Sequence, residues 1–228
     1  MDFHRFPRTP HIAWLGPGRP RDDKLLSPGE IAELLRADVV VEEKVDGANV
    51  GISTDEHGLL RAQNRGSYIQ RGHCHEQFKP LFRWLDVRSH QLAEALFPDL
   101  ILFGEWCYAV HSVRYTKLPD WFLAFDVYDR QRQEFWSATR RDALFDTIGL
   151  VRVPQIARGR FTVNAIVSLL GPSQLSAGPT EGVYVRRDDE LRLLGRAKVV
   201  RPEFVQQIDT HWSGRSMETN ALLSGAKW

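Results

Sequence analysis

The chain has 228 residues and a formal net charge of +1, enough for one large domain or two small ones and no strong electrostatic bias toward any partner. Its apolar and charged fractions are those of an ordinary globular protein, with no apolar run long enough for a membrane helix and no signal-peptide core in the opening MDFHRFPRTPH. Two cysteines, Cys74 and Cys107, do not make a disulfide framework, so the expectation is a cytoplasmic protein with reduced thiols.

Residues 1–26, rich in Pro, Gly and Arg, read as an extended arm. Ser27-Pro28-Gly29-Glu30 is a capping box with proline at the first helical position, which predicts a helix to about Arg36. Val39-Val40-Val41 opens a strand that Asp46-Gly47 breaks. Ala48 to Ser53 returns as a second strand, and Leu59 to Asn64 forms a third after the turn at Asp55–Gly58. Phe78, Leu81, Phe82 and Leu85 share one face at helical spacing, predicting a helix over 75–86, with another over 91–97. Aromatic-rich strands follow over 100–108 and 122–128. Helices are expected over 139–148, stopped by Gly149, and over 162–170. Strands over 182–187 and 191–200 are joined by a turn at Asp188-Asp189, and the tail 202–228 reads as partly helical. Strand pairs mixed with scattered helices predict an α+β fold of mostly antiparallel sheets.

Basic residues cluster at both ends: Arg5, Arg8, Arg19, Arg21 and Lys24, then Arg186, Arg187, Arg192, Arg196, Lys198 and Arg201. If both groups reached one face they would make a phosphate-binding surface; charge pattern alone favours a solvated surface balanced by acids. His73-Cys74-His75 has no second ligand cluster at a suitable spacing and makes a poor zinc site. No Walker sequence or dinucleotide glycine fingerprint is present.

The informative segment is Val41-Glu42-Glu43-Lys44-Val45-Asp46-Gly47. A lysine between an apolar strand and a tight turn can face a pocket. Its amine is a good nucleophile once neutral, and nearby cations or a metal ion favour that form. Attack on the α-phosphorus of a nucleoside triphosphate then needs carboxylates for a metal and cations for phosphate. Glu105 and Glu181 are candidate carboxylates, and Arg196 and Lys198, two apart on one strand, share a face as candidate cations. Taken singly, each also fits a salt bridge, a strand end or a solvated edge.

Their order resembles that of the covalent nucleotidyltransferase superfamily of polynucleotide ligases and capping enzymes, with most likeness to ATP-dependent, nick-sealing RNA ligases. The likeness runs from Val39 to Arg201. Lys44-Val45-Asp46-Gly47 resembles the nucleophile motif, and Gln63-Asn64-Arg65-Gly66 the next, whose arginine engages phosphate. Phe103-Gly104-Glu105-Trp106 resembles the motif whose glutamate contacts ribose. Phe122 to Asp126 resembles the strand whose phenylalanine, here Phe125, stacks on adenine. Glu181-Gly182-Val183 resembles the motif whose glutamate serves the metal, and Arg196-Ala197-Lys198 the one whose cations hold the α-phosphate, with Arg196 where lysine is usual.

The resemblance implies an ATP-dependent ligase adenylation domain over 27–204. Lys44 would be the nucleophile, with Asp46 and Glu181 for Mg²⁺ or Mn²⁺ and Asn49 near the 5′-phosphate. Glu42 or Glu43 would accept from the adenine amino group, directly or through a carbonyl. The substrate would be RNA or a nicked duplex with a 3′-hydroxyl and a 5′-phosphate, in RNA repair, with a separate end-processing kinase or phosphatase as a partner. Only 27 residues follow Arg201 (228 minus 201), too few for a barrel, so no separate oligonucleotide-binding domain is expected. The segment 205–228 is then a tail, and the arm around Arg8-Thr9-Pro10-His11 either reaches over the site or covers a sheet edge. The alternatives are a DNA ligase, a GTP-dependent capping-type transferase, and a non-catalytic nucleic-acid-binding module.

Overall fold

A computed structural model describes residues 3–18, 25–205 and 217–226. Arg19, Arg21, Lys24 and the tail residues 206–216 and 227–228 lie outside them. The order is α1 (Pro28–Leu35), β1 (Val39–Lys44), β2 (Ala48–Thr54), β3 (Leu60–Gln63), α2 (Lys79–Val87), α3 (Ser89–Leu96), β4 (Leu100–Trp106), β5 (Phe122–Asp129), β6 (Glu134–Phe135), α4 (Ala138–Thr147), β7 (Gln155–Gly159), α5 (Val163–Ser168), β8 (Gly182–Asp188), β9 (Leu193–Val200) and α6 (Pro202–Val205). Two antiparallel sheets result, one in the order β7-β1-β8-β9 and the other β3-β2-β4-β5-β6. This is the expected α+β architecture of antiparallel sheets flanked by helices. No helix among the described residues is long and apolar enough to cross a membrane.

The capping box forms: Ser27 Oγ accepts from Glu30 N, and Glu30 Oε2 accepts from Ser27 N at 2.9 Å. The helix predicted over 75–86 is instead a 3-10 turn at Glu76–Phe78 followed by α2, whose Pro80 lies in the first turn, where a missing N–H costs nothing. Strands β6 and β7 were not foreseen. β6 has two residues and β7, Gln-Ile-Ala-Arg-Gly, has no apolar alternation to mark it. In the tail only α6 is helical among the described residues; Ala109 bridges Thr219 and Leu118 bridges Leu222.

Each sheet buries a face. Val39, Val41, Val183, Val185, Ala197 and Val199 pack beneath α1 and α5, and the larger core lies between the five-stranded sheet and α2, α3 and α4. The arm belongs to the fold. Ile12 N donates to Lys198 O and Lys198 N to Pro10 O, so the arm pairs with edge strand β9. Further back, Phe6 is buried against Phe103, Phe125 and Phe135 on the other sheet. A division at residue 26 therefore does not separate two structural units.

Candidate active site

Between the sheets lies a cleft of about 1150 Å³. Lys44 ends β1, and the next three residues carry the chain across to β2 in the other sheet. The turn is tight because Gly47 packs on the end of β4: a Cβ there would sit 2.8 Å from Trp106 O. Gly182, opposite Lys44 in the β1–β8 ladder, has the same constraint, since its Cβ would meet Val199 O at 2.2 Å. These contacts explain why the segments that resemble ligase motifs carry glycine at these two positions.

Eleven sequence candidates line this one cleft: Glu42, Glu43, Lys44, Asp46, Gly47, Asn49, Arg65, Glu105, Phe125, Glu181 and Lys198. Lys44 Nζ donates to Glu181 Oε2 at 2.5 Å, with only 26% of the lysine side chain and 9% of the glutamate exposed. Burial alone would lower the Lys44 pKa; the carboxylates of Glu181, Asp46 and Glu105 outweigh it and hold the ammonium above the ordinary lysine value. Burial pushes Glu105 up to about 8 against the pull of Lys44 and Arg65, and its Oε2 is buried without a hydrogen-bond partner. Burial likewise raises Glu181, opposed by Lys44. Asn49, paired with Glu105 across β2 and β4, has a buried Nδ2 with no partner.

Phe125 reaches the cleft through a bulge. The β4–β5 register steps from Phe103 opposite Asp126 to Gly104 opposite Ala124, which leaves Phe125 as the extra residue. Phe6 of the arm meets its ring edge-on at 5.2 Å. Arg65 projects from a turn in which Asn64 Oδ1 accepts from the amides of Gly66 and Ser67.

Three candidates are engaged elsewhere. Glu42 is buried and paired with Arg141 of α4, so its carboxylate is not available to an adenine amino group. Glu43 accepts from Ser173 Oγ at 2.5 Å and Gln174 N at 3.1 Å. Neither carboxylate is open to that role. Arg196 does share a strand face with Lys198, yet its Nη1 donates to buried Asp126 at 3.1 Å, and its guanidinium lies 4.0 Å from the Phe135 ring centroid. It is not among the cleft-lining residues, whereas Lys198 is. Asp126 also accepts from Arg186 Nη1 at 2.9 Å, so Arg186 is a fully buried cation and not part of a basic surface. Arg187 points the other way and pairs with Glu33. Arg186, Arg187 and Arg196 of the second basic cluster are thus paired with acids, while Lys198 lines the cleft.

Asp46 is only partly available to a metal. Its Oδ2 accepts from the amides of Ser112 at 2.5 Å and Val113 at 3.0 Å. No group of three or more His, Cys, Asp or Glu residues is arranged to hold a metal ion among the described residues. His75, of the weak zinc candidate, accepts from Gln77 N instead. The donors that remain, Glu181 with Glu105 and Asp46 close by, suit a hard divalent cation of the Mg²⁺ or Mn²⁺ type. Such ions use one or two carboxylates and complete their shell with phosphate oxygens and water.

Sequence reasoning missed several cleft residues. Tyr184 faces the cleft two positions along β8 from Gly182, and burial pushes its phenol up to about 12. Alternation in Gly-Val-Tyr-Val could have found it. Arg5 and Trp14 were also missed, whereas Arg8, Thr9 and His11 line the cleft as one of the two expectations for the arm had it, so the arm both covers an edge and reaches the site.

The fold thus gathers a lysine, carboxylates and an aromatic ring in one cleft. The RNA ligase family model matches residues 37–200, and the chain belongs to that family. The structure is similar to that of Naegleria gruberi RNA ligase. It matches a variant with ATP and Mn at TM-score 0.61 and 16% identity, covering 88% of this chain and 63% of that one. It matches the same ligase with PPi at TM-score 0.60 and 17% identity, covering 89% and 63%. This chain therefore spans less than two thirds of the length of those ligases. No curated protein matches it.

Proposed function

We propose that this protein is an ATP-dependent RNA ligase that joins 3′-hydroxyl and 5′-phosphate ends through an AMP bound to Lys44. The observation that carries the reading is the partly buried Lys44–Glu181 pair in the cleft, with the unpartnered Glu105 Oε2 and the ring of Phe125 beside it. Family membership and the ATP and Mn of the similar ligase support it.

The neutral Lys44 amine attacks the α-phosphorus, a P–N bond forms, the bond to the β-phosphate breaks and pyrophosphate leaves; the amine loses one proton. A 5′-phosphate oxygen next attacks that phosphorus and breaks the P–N bond, and Lys44 regains a proton. Finally the 3′-hydroxyl oxygen attacks the activated 5′-phosphorus, and AMP departs. Because the carboxylates around it keep Lys44 charged at rest, its proton must leave as ATP binds. A divalent cation held by Glu181 would spread charge on the phosphates and offset the carboxylates that keep Lys44 protonated. Phe125 stacks on the base, Glu105 accepts from ribose, and Lys198 and Arg65 contact phosphate. Asn49 is positioned to donate to a 5′-phosphate.

The test is incubation with α-labelled ATP or GTP and Mg²⁺ or Mn²⁺, then denaturing electrophoresis and mass analysis. ATP should leave one AMP on the wild-type chain and none on Lys44→Ala. Equal labelling of Lys44→Ala refutes the nucleophile, and labelling by GTP alone points to capping-type chemistry. Sealing of nicks with RNA but not DNA on the 3′-hydroxyl side separates an RNA ligase from a DNA ligase, because only RNA has a 2′-hydroxyl there.

A further inference from the structure

The segment 218–223 and the loop 107–118 are far apart in sequence and tightly joined in space. Asn220 is buried and uses its whole amide: Oδ1 accepts from Tyr115 N at 2.8 Å, and Nδ2 donates to Cys107 O at 2.8 Å and Ala109 O at 3.0 Å. The backbones interlock as well: Asn220 N donates to Tyr108 O, Ala221 N to Tyr115 O, Val110 N to Glu218 O and Leu118 N to Ala221 O. A side chain that satisfies three main-chain groups of one loop fixes that loop's shape, since each group left unpaired in the interior is costly.

The loop in turn grips the residue two positions after Lys44. Tyr115 Oη accepts from Asp46 N at 2.8 Å, and the amides of Ser112 and Val113 donate to Asp46 Oδ2. The Asp46 carboxylate and its own peptide are thus held from one loop, at the point where the chain crosses from β1 to β2. Tyr115 is itself buried, while Asp46 lies at the cleft.

We propose that Asn220 is a positioning residue for the nucleophile site. Acting through Tyr115 and the Ser112–Val113 amides, it sets the orientation of Asp46 and so of the Lys44 turn. The base-stacking wall at Phe125 is built from β5 and does not depend on this brace. Loss of the brace should therefore slow transfer of AMP to Lys44 more than it weakens ATP binding. The inference rests on the ligase reading above.

The test compares Asn220→Ala and the milder Tyr115→Phe, which keeps the ring and removes only the acceptor for Asp46 N. For each, the single-turnover rate of AMP transfer is measured across ATP concentrations, beside amide hydrogen exchange of the 110–116 peptide. The expected result is a rate lowered about tenfold or more in both variants, with half-saturating ATP changed less than about threefold, because geometry is lost and not ligand contact. The double variant should be little worse than Asn220→Ala alone, since both act through Asp46. Exchange of 110–116 should rise in Asn220→Ala. Wild-type transfer rates in both variants overturn the proposal and leave the ligase reading intact. If Asn220→Ala fails to fold, Tyr115→Phe alone decides. If the wild-type chain takes no AMP from ATP, the ligase reading has failed and with it the proposed role; unchanged exchange in Asn220→Ala would separately refute the brace itself.

Discussion

Arg196 and Lys198 stand two residues apart on one face of β9, yet their surroundings predict opposite phenotypes. In Arg196→Ala the lost hydrogen bond to Asp126 is charge-assisted and worth about 1.5–3 kcal/mol. The contact over the Phe135 ring adds about 0.5–2 kcal/mol. Asp126 keeps Arg186 at 2.9 Å, so no isolated buried carboxylate is left behind. Because both contributions come from one side chain they overlap, and the expected loss is about 2–4 kcal/mol, which in a domain of this size lowers Tm by about 4–16 °C. Lys198→Ala instead leaves the backbone bonds of Lys198 to the arm in place and removes a cation from the cleft. Its Tm should move by no more than about 2 °C, as at a substitution outside the core. Transfer of AMP, which needs charge aimed at the phosphates, should fall about a hundredfold. Thermal unfolding followed by circular dichroism, with labelling by α-labelled ATP well below each variant's Tm, separates the two. An Arg196→Ala protein with wild-type Tm and abolished labelling would refute the reasoning, because its guanidinium would then belong on phosphate.

Phe125→Ala should raise the ATP concentration for half-maximal labelling about 5- to 150-fold, the range set by a stacking loss of about 1–3 kcal/mol; titration of the labelling reaction with ATP checks it. Glu105 holds its proton in the folded chain up to about 8, against an ordinary 4.5, so the unfolded chain binds fewer protons between those values and stability falls as pH rises through that window. Glu105→Gln lacks this dependence, and its Tm relative to wild type should rise between about pH 5 and pH 9; a constant difference would show that Glu105 is not perturbed. Arg141→Met leaves Glu42 buried without its partner and should cost about 3–5 kcal/mol, while adding Glu42→Met should restore most of it; urea unfolding of the single and double variants measures both. Removal of divalent metal with EDTA should abolish AMP labelling, and added Mg²⁺ or Mn²⁺ should restore it.

Local sequence was enough for the elements whose signals are local. The Val39–Val41 run followed by Asp46-Gly47 marks β1 and the turn after it, and Ser27 with Glu30 marks the start of α1, because β-branching, turn chemistry and capping act within a few residues. The order of Lys44, Glu105, Phe125, Glu181 and Lys198 along the chain was legible too, and the fold brings all five to one cleft. Strand alternation could say that Arg196 and Lys198 share a face. It could not say what stands opposite each of them, and that is decided by pairs remote in sequence. Glu42 meets Arg141 99 positions away, Arg196 meets Asp126 70 away, and Tyr115 meets Asn220 105 away. One carboxylate and one arginine that read as ligand-binding groups are thereby held inside the protein, since a buried charge must be paired where it lies. In the tail, α6 is helical as the sequence suggests, and the later described residues are placed by remote pairing. Residues 218–223 lie along loop 107–118 because that loop offers backbone groups that only the folded chain brings within reach.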